Sequence, residues 1–437
     1  MFAYYLELGF RSLKSSRGLT VLMLLSIAMG VAACMTTLTV YHVLSGDPIP
    51  GKSDRLFNVQ LDPEPMRDYE PGGEPDLQLT RFDAEALLRE KRGVHQVMMT
   101  GANIAVDPAG SGKSDMAAFF SRARYTSADF FPMFETPFQF GNAWSAQEDE
   151  GKARVAVISR ELNDKLFDGA DSRGKTLRLR DKDFTIVGVL KDWRPAPHYF
   201  DLTLGAYSSA ADIYVPFQAA QELKFGRSGN MDCWGSSPGG DPLALAAPCS
   251  WLQYWVQLDT PAQAKAYLEY LNQYSAQQKT AGRFARPPNP RLRPVMEWLS
   301  HQKAVPSDIR LQVWLAFGFL LVCLTNAVGL LLAKCLRRSG EIGVRRALGA
   351  RQRSIFMQFL VEAGSLGFAG GVLGLFLTLG GLWIVRANAS PYAALAQLDW
   401  AMFGMTFLLA VAASLIAGLL PAWRACQVTP ALQLKVQ

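Results

Sequence analysis

The stretch RRSGEIGVRRALGARQR, residues 337–353, lies between two long apolar runs, and its reading decides the rest of the chain. It opens and closes on basic residues and carries one acid, Glu341. Glu341 to Leu348 reads as a short amphipathic helix, with Ile342, Ala347 and Leu348 on an apolar edge and Arg345 and Arg346 on a cationic one. Gly349 is placed to end it in a left-handed turn. So short a helix cannot bury its apolar edge within itself; it needs lipid headgroups or a partner protein. A bias of positive charge toward the cytoplasm accounts for the arginines, but not for Glu341 or the small residues Gly343, Ala347, Gly349 and Ala350.

Outward from this loop, four stretches hold the roughly 20 apolar residues that a helix needs to cross a bilayer. They are 19–44, 309–334, 356–385 and 401–420. The chain carries +6 overall; residues 1–18 hold +2, 334–353 hold +6 and 421–437 hold +2, which leaves the remainder at −4. The basic excess therefore flanks the spans. That is topology control rather than phosphate binding, and it argues against a nucleic-acid partner. Both ends and the 335–355 loop fall in the cytoplasm, the 386–400 loop and residues 45–308 outside. Residues 1–18 read as an interfacial helix and 421–437 as a tail. The fold class is an α-helical membrane protein with four spans plus a large, two-part α+β extracytoplasmic domain. A cleavable signal does not fit the first span, which exceeds the usual 7–15-residue apolar core. Val31-Ala32-Ala33-Cys34 has the look of a lipoprotein cleavage site, but the chain stays apolar to Leu44.

In the outer segment, 154–158 (RVAVI) suits a buried strand, and Ser159 then caps a helix over 160–167. Residues 176–190 alternate around Asp181-Lys182-Asp183 as a hairpin. Residues 251–258 form a further strand. Thr260-Pro261 begins a helix to about Gln278, with Ala264, Tyr267, Leu268 and Leu271 inward. A helix over 82–92 turns Ala84, Leu87 and Leu88 inward. The proline-rich 283–294 is expected as a stiff connector.

No catalytic set emerges. The histidines, His42, His95, His198 and His301, stand in no metalloprotease or hydrolase pattern. Gly110-Ser111-Gly112-Lys113-Ser114 resembles the end of a phosphate-binding loop, but Asp107 stands where its first glycine belongs, so it reads as a turn between 104–106 and 117–120. Asp62, Glu64, Glu70, Glu74 and Asp76 are expected to be solvated. No metal site is expected, because no Cys or His pairing supports zinc. Cys233 and Cys249, both external and 16 apart, are a candidate disulfide; the alternative is two free thiols. Gly367, Gly370, Gly371 and Gly374 give small-xxx-small spacings that serve either packing within one chain or a dimer seam. Glu362, an acid inside the third span, needs a partner, and an arginine of the 335–355 loop is the expected one.

The sequence EIGVRRALGA, 341–350, resembles the coupling-helix signature of FtsX/MacB-type ABC transporter permeases. The FFPMF, RVAVIS and FTIVGVL segments between 130 and 190 resemble that family's extracytoplasmic core. PAWRA at 421–425, with Pro430-Ala431 after it, resembles its C-terminal end. The resemblance implies a type VII, mechanotransmitting permease of the inner membrane that works as a homo- or heterodimer. It implies that 341–350 grips a cytoplasmic ABC ATPase, which binds the ATP and magnesium; this chain would bind no cofactor and catalyse nothing. The chain shows no nucleotide-binding segment, so a separate ATPase subunit is expected. A periplasmic adaptor and an outer-membrane channel are further partners of such systems. The implied function is export or extraction of a substrate. The alternative is an FtsX-like signalling role toward a periplasmic partner such as a cell-wall hydrolase.

Overall fold

The computed structural model describes residues 17–113, 115–387 and 400–426. The expected helix over 1–18 lies outside these except for its last two residues, as do most of the 386–400 loop and residues 427–437 of the tail. The chain divides into two compact units, residues 47–304 and the remainder.

In the outer unit, β1 (Leu56–Gln60), β2 (Leu79–Thr80), β3 (Gln96–Asp107), β4 (Phe119–Thr126), β5 (Phe138–Gly141) and β6 (Val155–Ile158) come first. β7 (Thr176–Leu179), β8 (Lys182–Leu190), β9 (Ile213–Pro216), β10 (Asp232–Cys233), β11 (Cys249–Gln257) and β12 (Arg291–Pro294) follow. The main path runs β12-β1-β11-β3-β4-β9-β6-β8-β5, with β2 and β10 on β11. β7 bridges β8 back to β3, which closes a ring of pairings through β3, β4, β9, β6, β8 and β7. One lobe is that ring; the other is built on β11, β1 and β12. β3 belongs to both: Gln96–Met99 pair with β11, and Met99–Val106 pair with β4.

Alternation along the strands explains the two cores. Met98, Tyr254, Val256, Ala156, Ile158, Ile213 and Val215 feed one. Their neighbours Val97, Met99, Trp255, Val155, Val157 and Tyr214 feed the other. Successive strand side chains point to opposite faces, so every position of β6, β9 and β11 is buried.

Local signals hold where they are strong. Ser159 accepts from Leu162 N at 3.1 Å and starts a helix over Arg160–Phe167. Thr260 and Gln263 form a reciprocal cap around Pro261 at the head of Pro261–Thr280. The β7–β8 turn is Arg180-Asp181. The inward face of Pro261–Thr280 differs from expectation: Tyr267, Leu271, Tyr274 and Ser275 are buried, and Leu268 is exposed. On that buried face Tyr274 donates to Asp83 at 2.7 Å. The 283–294 segment is no plain connector. It contains β12, paired to β1, and its arginines enter ion pairs described below.

In the membrane unit, α1 (Arg17–Ser45), α2 (Ser307–Arg337), α4 (Gln352–Ala387) and α5 (Trp400–Cys426) are long and apolar enough to cross a membrane. Between α2 and α4 sits α3 (Ser339–Ala347). Cys34 is buried in the middle of α1. α5 does not stop at 420: it continues through Pro421 to Cys426, so the tail's first residues are helical.

Candidate functional site

α3 is held at both ends. Glu341 in its first turn pairs with Arg345 in its last at 2.5 Å, the arrangement that a helix dipole favours. Gly349, at φ +96°, donates to Arg346 O at 3.1 Å, and Ala350 donates to Arg345 O at 3.0 Å. This is a Schellman ending, and it satisfies carbonyls that would otherwise be orphaned.

The helix has two apolar sides, not the single edge expected. Ile342 turns inward, 6% exposed, against Cys335 of α2 and Ile355 of α4, with Ala350, Phe356 and Phe359 around it. Gly343 is buried beside it. Arg345 also reaches Gln358 of α4 at 3.3 Å. On the other side Val344 and Leu348 are 53% and 82% exposed, with Ala347 exposed between them. Ile342 stands some 140° around the helix from Ala347, so one cannot share the other's edge. Val344 was missed, although its i, i+3, i+4 relation to Ala347 and Leu348 marks it. Arg346 lies half-buried.

Glu362 is buried, and its partner is Lys334 of α2 rather than a loop arginine. Lys334 lies in the last turn of α2, and its side chain reaches Glu362 from there. The four glycines meet neighbours of the same chain. A Cβ at Gly367 would fall 1.8 Å from Ser414 Oγ, and one at Gly371 3.0 Å from Ala410, both on α5. A Cβ at Gly370 would fall 3.0 Å from Ile27, and one at Gly374 3.3 Å from Ala28 O, both on α1. The glycines thus let α4 approach two helices on two sides.

In the outer unit Cys233 and Cys249 are joined by a disulfide that staples β10 to β11. Lys113 binds no phosphate cradle: its Nζ contacts Asp168 at 2.7 Å and Lys165 O at 3.2 Å. Of the acids expected in solvent, Glu70 is exposed, but Asp62, Glu64, Glu74 and Asp76 are engaged. Arg286 bridges Asp62 at 3.1 Å and Glu64 at 2.7 Å, and Arg293 holds Glu74 at 2.8 Å. Ser250 donates to Asp76. The carboxylates of Glu64, Asp76 and Asp232 lie within 4.8 Å of one another. Burial, and then mutual repulsion, push the Glu64 and Asp76 carboxyls upward, against the pull of Arg286 on Glu64 and of Ser250 on Asp76. Asp201 pairs with Arg124 at 2.9 Å, both buried, and His198 lies close by. Burial, then the Arg124 charge, lower His198 to about 4.

Residues 20–274 match the MacB-like periplasmic core domain family, and residues 313–430 match the FtsX-like permease C-terminal family. The chain belongs to the FtsX/MacB-type ABC transporter permeases. Among relatives, this permease is 25% identical to the pyoverdine export ATP-binding/permease protein PvdT of Pseudomonas entomophila, over 97% of the chain and 58% of that protein. It is 24% identical to the macrolide export ATP-binding/permease protein MacB of Marinobacter nauticus, over 97% of the chain and 59% of that protein. The permease thus spans a little over half the length of these relatives. The uncharacterized ABC transporter permease YvrN of Bacillus subtilis is 22% identical, over 98% of both chains. The periplasmic region of MacB from Actinobacillus actinomycetemcomitans superposes with a TM-score of 0.38 at 11% identity, over 59% of this permease and 97% of that structure.

Proposed function

We propose that this permease couples ATP hydrolysis by a separate cytoplasmic ABC ATPase to movement of its outer domain, for export or extraction of a substrate across the cell envelope. The observation that carries the reading is α3. Its inward side, Ile342, is plugged into α2 and α4, while Val344, Ala347 and Leu348 stand outward beside Arg345 and Arg346. An exposed apolar strip next to cations on an anchored helix suits a protein groove with an acidic rim. The likeness to YvrN, named an ABC transporter permease, supports an ABC ATPase as the partner. The names of PvdT and MacB support export as the direction.

In this reading the permease sits in the inner membrane with both ends and α3 in the cytoplasm. It pairs with a second permease, and an adaptor and an outer-membrane channel complete the route. ATP and magnesium bind to the ATPase. The test is co-purification of the detergent-solubilised complex. Leu348→Glu, and separately Arg345→Glu with Arg346→Glu, are expected to lose the ATPase subunit. Its retention at wild-type stoichiometry in all of these variants would overturn the docking role.

A further inference from the structure

Lys334 and Glu362 are 3% and 2% exposed, and they join the two helices that frame α3. Three contacts follow one another along one face of α4. Ile355 packs against Ile342 and Cys335, Gln358 accepts from Arg345, and Glu362 meets Lys334. Their positions, i, i+3 and i+7, form one stripe. Lys334 adjoins Cys335, so the ion pair lies immediately beside the apolar plug that seats α3.

A buried ion pair adds little net stability, because desolvation offsets its attraction; removing one partner, by contrast, strands a buried charge. What such a pair does well is select one arrangement over its neighbours. The α4 positions one turn to either side of Glu362 are Gln358 and Leu366, and neither offers Lys334 a carboxylate. Drawing the end of α2 away from Glu362 would part the charges within apolar surroundings.

We propose that the Lys334–Glu362 pair ties the end of α2 to α4 and thereby fixes the seat of α3. This rests on the reading of α3 as the docking helix. Lys334 and Glu362 are positioning residues: they hold the helix that touches the partner and do not touch it themselves.

Hydrogen exchange on the full chain in lipid nanodiscs, without any ATPase, tests the proposal. Glu362→Gln leaves Lys334 unpaired and is expected to speed exchange of the 338–351 amides about tenfold. Lys334→Met with Glu362→Leu removes both charges; it should keep the wild-type melting temperature yet show the same local acceleration. The charge swap Lys334→Glu with Glu362→Lys should restore slow exchange. Wild-type exchange over 338–351 in the apolar double variant overturns the proposal. So does an acceleration spread evenly over α1, α2, α4 and α5 with a lower melting temperature, which marks a plain stabilising contact. No ATPase takes part, so loss of docking in the co-purification test and failure of this tethering role are read separately.

Discussion

The two units of this permease solve the same packing problem with opposite materials. The outer unit fills its cores with large rings. Phe130, Phe131, Phe134, Tyr199, Phe200, Tyr214 and Trp255 are all buried, with Phe131 and Trp144 edge to face at 4.8 Å. The membrane unit puts small residues inside, Ala410, Ala417 and the α4 glycines, and turns Trp314, Phe376, Trp383 and Leu408 outward. Water rewards burial of apolar area, so a soluble core gathers its largest side chains. Lipid tails are as apolar as leucine, so helices in a bilayer gain from close backbone approach instead. The largest rings are thus buried in one unit, and several of them exposed in the other.

The sharpest break of this contrast comes from tryptophan. Trp255 is fully buried, and its Nε1 donates to Phe200 O at 3.0 Å. Trp255→Ala is expected to cost about 3–5 kcal/mol, read as a fall in the denaturant midpoint of the outer unit. Trp383→Ala, on a side chain 65% exposed, should leave the melting temperature of the nanodisc-embedded chain within about 1 °C. Next is the disulfide, a device open only to the outer unit. Replacing Cys233 and Cys249 together by Ser should destabilise that unit by roughly 3 kcal/mol on chain-entropy grounds, while melting of the membrane helices stays unchanged. The converse probe overfills the bilayer. Gly371→Leu forces α4 from α5 and should cost about 1–3 kcal/mol, seen as a lower unfolding midpoint in mixed detergent.

The smallest effect concerns protons. His198 is held neutral down to about pH 4 by burial and the Arg124 charge, whereas an unfolded histidine protonates near 6.5. Its depressed value gives stability that is full above about 6.5 and is lost as pH falls toward 4. His198→Gln should flatten the acid side of the outer unit's stability profile by up to one proton across that window, measured by melting at stepped pH.

Much of this architecture is legible in the sequence because its causes are local. A 29-residue helix such as α1 announces itself by composition alone. Ser159, Thr260 and Pro261 announce helix starts because a cap needs only its next three residues. Gly349 announces the end of α3 for the same reason. What escapes depends on partners far along the chain. Asp62 and Glu64 look solvated until Arg286, more than 200 residues later, is brought beside them. The 283–294 segment looks like a connector until β1 supplies a ladder. At α3 the residues were legible but their facing was not. Ile342 turns inward because Cys335 and Ile355 make a hole there, and Glu362 takes Lys334 because the last turn of α2 meets α4 at that point.

The twelve residues of β3 carry a consequence for motion. One strand is woven into both lobes of the outer unit, with Met99 paired to Gln253 on one side and to Thr126 on the other. No pliable tether separates the lobes there. A tug applied to either has a continuous peptide and its ladder of amide bonds to run along.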